Sequence, residues 1–169
     1  MLNPTEFVKK IRKENQALFE ASKMNVKAYF ENDLSKEEMV DHFIGRMVNE
    51  RMNMSEISAQ IASAEDDADP RELELLSKQA ADEAKHYRMV KEVIEHITGE
   101  EVNVSQALEA ERKADTAKGA SLLEKYDAEN DEAVLAAYQL VAEGRAEAVW
   151  NQMADTIEDS FISGRYREI

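Results

Sequence analysis

The chain contains no cysteine, only two prolines and five glycines among 169 residues. Without cysteine there are no disulfides, no thiolate metal sites and no cysteine nucleophiles. Few prolines and glycines mean few interruptions. The remaining composition, rich in Ala, Glu, Lys, Met and Leu, suits long helices joined by short loops and not sheets. No apolar run reaches 18 residues, so no membrane span is expected. The start, Met1-Leu2-Asn3-Pro4-Thr5-Glu6, lacks the basic and apolar regions of a secretory signal, and with no cysteine a cytoplasmic location is expected. Basic residues are also short: 21 Lys and Arg stand against 36 Asp and Glu, a net charge of −15. Nucleic acid, which needs a concentrated basic surface, is therefore not an expected partner. The acidic surplus keeps a surface soluble, and its field also concentrates cations such as Fe²⁺. No phosphate-binding glycine loop and no nucleophile elbow are present.

The length suits a single domain, 1–169, with a substantial core. Stop and start signals divide it into five helical segments. The first spans about Pro4 to Asn32, with Asn3 as N-cap, Pro4 in the first turn and Glu6 completing a capping box. Ser35 and Glu38 form a second capping box and open a helix running to about Glu65. Asp66-Asp67-Ala68-Asp69-Pro70 is the clearest break, where Asp69 caps and Pro70 starts the third helix. That helix ends near Thr98-Gly99, where glycine can take the left-handed conformation. A fourth runs from about Ser105 to Ala128 and a fifth from Asp131 to Ile162. Helices of about 30 residues reach roughly 45 Å, the length of a long bundle.

Two of these helices carry a charged interruption in an apolar stripe. Phe43, Met47, Glu50, Met54, Ile57 and Ile61 recur at helical spacing, and Glu50 is the one charged member. On the third helix Leu76, Ala80, Glu83, His86 with Tyr87, Val90, Val93 with Ile94, and Ile97 repeat the pattern. Residues three apart share a helix face, so Glu83 and His86 point into the same space. A carboxylate in an apolar interior needs a partner or a metal. Glu50 lies 17 residues before Asp67 and Glu83 lies 16 after it, so the two stand level in an antiparallel hairpin. Glutamate is a favoured helix former, and a single Glu is commonly a salt-bridged surface residue. The shared depth of this pair separates it from that alternative.

The second half echoes the first. A shift of 60 carries Glu83 onto Glu143, Val90 onto Trp150 and Val93 onto Met153, while His86 maps to Ala146. About the turn near Ala128, Glu111 lies 17 residues before and Glu143 lies 15 after, making Glu111 the counterpart of Glu50. Asp115, one turn beyond Glu111, and Glu147, one turn beyond Glu143, are additional ligand candidates. His42 and His96 lie near helix ends and are expected at the surface. Small residues Ala142, Gly144 and Ala146 either leave a pocket or allow close helix packing.

An inward Glu on one helix and Glu-x-x-His on the next make half of a di-metal carboxylate site. On these residues the chain resembles the ferritin-like superfamily of carboxylate-bridged di-iron proteins, over roughly residues 36 to 160. The resemblance implies an all-α, ferritin-like four-helix bundle at 35–163, an additional N-terminal helix at 1–34 and a tail at 164–169. It implies Glu50, Glu83, His86, Glu111 and Glu143 as metal ligands, with Glu83 or Glu143 as bridges between metals. Two features depart from the family pattern. Ala146 stands where a second Glu-x-x-His would place histidine, so the two metals would be held unequally. The ferritin topology also needs a long crossover, yet Thr98 to Ser105 extends over only about 24 Å at ~3.4 Å per residue.

The implied cofactor is two Fe ions, with Mn or mixed Fe/Mn fitting the same ligands, since carboxylates are hard donors that stabilise Fe³⁺ and leave positions open for O₂. The implied function is a di-iron carboxylate oxidoreductase activating O₂, of the small oxygenase or oxidase type. Its partners would be O₂, a small organic substrate and an electron-donor protein, in a homodimer with no nucleic acid and no membrane. Two alternatives stay open: a ferroxidase-type iron-storage or detoxification protein, and a metal-free helical interaction module.

Overall fold

The computed structural model describes residues 3–118 and 132–169, with side chains throughout except at 111–112, 114–118, 132–133 and 135–136. Among the described residues the chain forms seven α-helices and no strand, so the fold is all-α. They are α1 (Pro4–Glu14), α2 (Gln16–Glu31), α3 (Lys36–Ser63), α4 (Pro70–Thr98), α5 (Val104–Lys118), α6 (Glu132–Thr156) and α7 (Ser160–Glu168). No helix among the described residues is long and apolar enough to cross a membrane.

The expected caps form. Asn3 accepts from the Glu6 amide at 2.9 Å while Glu6 accepts from the Asn3 amide at 3.2 Å. Ser35 and Glu38 do the same at the start of α3, and the Ser35 hydroxyl also donates to the Glu38 carboxylate at 2.7 Å. These bonds, the hydroxyl's first, hold the Glu38 carboxyl below the ordinary range. Asp69 accepts from the Arg71 amide at 2.9 Å, and Gly99 closes α4 in the left-handed region with φ 76°. Only glycine adopts that conformation without a Cβ penalty.

The structure places three helix boundaries differently from the sequence pattern. The expected first helix is interrupted at Asn15, whose side-chain amide donates to the Ile11 carbonyl at 2.9 Å. A side chain that bonds the preceding turn competes with the backbone ladder there. The expected fifth helix stops at Thr156, and Asp159 starts α7 by accepting from the Phe161 and Ile162 amides. The segment 164–169, expected as a tail, is therefore largely helical. Its Tyr166 is buried, and Arg167 donates to the Ala154 carbonyl at 3.1 Å and pairs with Asp155 at 2.9 Å. At the α4–α5 link, α4 keeps its last turn and Val104 is already helical, so the connection is 99–103 alone. The expected turn near Ala128 and helix start at Asp131 lie outside the described residues.

The chain divides into two compact units, one comprising Ser35–Ala114 and the other Met1–Leu34 with Asp115–Ile169. In the first, α3 and α4 pack along each other as a hairpin. Its buried apolar positions are the stripe residues Phe43, Met47 and Ile57 on α3 and Val90, Val93 and Ile94 on α4, joined by Val48 and Met89 from outside the stripes, while Met54, Ile61, Leu76, Ala80 and Ile97 are half-buried. Each of the buried side chains contributes about 1.5–3 kcal/mol. In the second unit α6 packs against α2, α1 and α7, and the buried set is Val26, Val149, Met153, Ala154, Ile162 and Tyr166.

Candidate metal centre

The α3–α4 hairpin brings Glu50, Glu83 and His86 together. One potential ligand atom from each lies within 4.8 Å of the others, and among the described residues this is the one such group of three. Glu50 is 4% exposed and Glu83 is 7% exposed, the two charged residues in an otherwise apolar buried set. His86 turns Nδ1 toward both carboxylates, 3.4 Å from Glu50 Oε2 and 3.9 Å from Glu83 Oε2. The i, i+3 spacing fixes the Glu83–His86 half of this geometry, and hairpin register supplies Glu50. Val90 and Met89 one to two turns along α4, and Met47 one turn before Glu50 on α3, set the depth.

Two carboxylates at this depth require positive charge or hydrogen-bond donors. An imidazole offers at most one positive charge, and a divalent cation offers two. The donor set, two carboxylate oxygens and one imidazole nitrogen, suits Fe²⁺, Mn²⁺ or Zn²⁺ and leaves coordination positions for water or a further ligand. The residues present therefore fit one transition-metal ion.

The other sequence-derived ligand candidates lie on α6 and α5. Glu143 and Glu147 are exposed on α6, in the unit that does not contain the cluster. On α6 the inward position is Gly144, which is buried, and adjacent residues sit about 100° apart around a helix, so Glu143 is rotated off that face. Glu147 instead faces Arg12 at 3.8 Å. The sequence echo holds at Met153, buried like Val93, but not at Glu143 beside Glu83. Glu111 and Asp115 lie in α5, outside the described side chains.

Of the two histidines expected at the surface, His96 is exposed. His42 is not: it is half-buried, with its ring edge-on to Phe43 at 5.4 Å, and burial first, then the Arg46 charge, pushes its pKa down to about 4. Its adjacency to the inward Phe43 is the signal in the sequence that places it on the flank of the seam.

Neither protein-family models, nor curated proteins, nor solved structures yield a match to this chain. The class rests on its own residues: an all-helical chain with a buried Glu–Glu–His cluster in a two-helix hairpin.

Proposed function

We propose that the chain is a ferritin-like carboxylate metalloprotein whose α3–α4 hairpin holds iron through Glu50, Glu83 and His86, and that it serves as an O₂-dependent oxidoreductase of the small oxygenase or oxidase type. The observation that carries this reading is the convergence of two buried carboxylates and an imidazole within 4.8 Å. Glu50 and Glu83 would bind as anionic oxygen donors, and His86 would bind through Nδ1, the nitrogen that faces them. Iron held by these three residues would supply redox chemistry toward O₂. The apolar residues around the cluster exclude bulk water and strengthen each charged contact. Mn in place of Fe is compatible with the same donors.

Anaerobic loading with Fe²⁺, metal analysis, and optical spectra after O₂ addition test the reading. The expected result is at least one tightly bound iron per chain and an O₂-dependent absorption change. Glu83→Ala/His86→Ala should abolish both, and full iron loading in that variant would overturn the assignment.

A further inference from the structure

The second unit contains an open groove of about 400 Å³ between α1, α2 and α6, lined largely by exposed side chains over a half-buried Phe19 and a buried Gly144. Its apolar part is formed by the Phe19 ring, Gly144 and Ala148. Gly144 lets the ring lie directly on the α6 backbone: a Cβ at that position would come within 2.9 Å of Phe19 Cζ. Gly144 thus packs against Phe19 and, with Ala148, borders open volume.

The charges at this groove run against those of the chain. In a protein of net charge −15, its lining carries Arg12, Lys13 and Lys23 against Glu20 and Glu147. Each acid is already matched. Lys23 pairs with Glu20 at 2.8 Å, and Arg12 faces Glu147 at 3.8 Å. Lys13 remains, with no carboxylate paired to it among the described residues, so the lining keeps one positive charge beside an aromatic floor.

We propose that this groove binds a small organic monoanion, a carboxylate carried on a flat apolar body. The carboxylate meets Lys13 in a charge-assisted contact, and the apolar body lies on Phe19 between Gly144 and Ala148. The amides of Gln16 and Asn151, also in the lining, suit the polar edge of such a ligand. The surrounding acidic surface repels anions in general, so retention depends on both the ammonium and the apolar contact.

The test uses the full chain and 2-naphthoate as probe, with the neutral 2-naphthalenemethanol as control, in a ¹H–¹⁵N NMR titration. The expected result is saturable binding of the acid, at least fivefold tighter than the alcohol, with shift changes concentrated at residues 12–23 and 144–151. Lys13→Gln should weaken the acid about tenfold, equivalent to loss of one charge-assisted contact of ~1.4 kcal/mol, and leave the alcohol unchanged. Ala148→Phe should fill the groove and abolish binding. Should that variant not fold, the Lys13→Gln comparison still decides. Equal binding of acid and alcohol, shift changes elsewhere, no binding at millimolar probe, or an unaffected Lys13→Gln variant would each overturn the proposal. None of these outcomes depends on the metal cluster.

Discussion

At Glu50 the proposed ligand is also an electrostatic burden. It is 4% exposed and shares its surroundings with Glu83, so in the metal-free chain two buried acids compete for the same compensating groups. Glu50→Gln keeps the shape and removes one charge. We expect its metal-free form to melt at or above the wild-type temperature, while metal affinity falls ~100-fold or more, beyond the 10–100-fold typical of losing an outer partner. Thermal scans with and without Fe²⁺ or Mn²⁺ measure both. A metal-free midpoint well below wild type would indicate that Glu50 is structural. His42 gives a second, independent expectation. Its folded pKa is depressed from 6.5 to about 4, so between those values the unfolded chain binds a proton that the folded chain refuses. Stability from this residue is complete above about pH 6.5 and declines as pH falls toward 4. Urea midpoints at pH 7 and pH 5 should show a smaller pH loss in His42→Gln than in wild type. Glu50, Glu83 and His86 could be read from the sequence because each interrupts an apolar stripe at helical spacing. For His42 the adjacency to Phe43 gives the angle around the helix, but periodicity does not say what covers that flank.

Two glycines in similar helical settings separate propensity from packing. Gly45 lies within α3 with open space where a Cβ would stand, whereas Gly144 lies under the Phe19 ring. Gly45→Ala should therefore stabilise by about 0.5–1 kcal/mol through helix propensity. Gly144→Ala gains the same propensity but overpacks at a cost of about 1–3 kcal/mol, so it should be neutral or destabilising. Chemical denaturation of the two variants compares them directly, and equal stabilisation would refute the close approach of Phe19. Helix starts were legible here wherever a capping residue and a following acid or proline coincide, as at Asn3, Ser35 and Asp69. The interruption at Asn15 and the start of α7 at Asp159 were less so. Asn15 lacks a flanking break, and Asp159 follows a continuous apolar pattern through Ile157.

For the chain taken together, composition alone yielded the all-helical class, because the residues that end helices are nearly absent. Helix partners were legible only where the connection is short and level, as in the α3–α4 hairpin across 64–69. The pairing of α6 with α2 was not, since it joins segments more than a hundred residues apart and a stripe does not name its partner. Ligand binding should propagate to global stability. Saturating metal at about 100 times Kd adds ~2.7 kcal/mol. For a chain of this length that raises Tm by roughly 5–10 °C, reversed by chelator. A Tm indifferent to both metal and chelator would count against the centre.

The position of Glu50 and Glu83, level in the hairpin and 33 positions apart, has a covalent analogue. An ion gripping both would tie α3 to α4 across that stretch of chain as a disulfide does, but only in the folded state, because the site is lost on unfolding. In a chain with no sulfur bridges, the ion would be a removable rivet. Chelation would then loosen α3 from α4 by withdrawing a tie from the folded chain, where reduction of a disulfide acts chiefly by freeing the unfolded one.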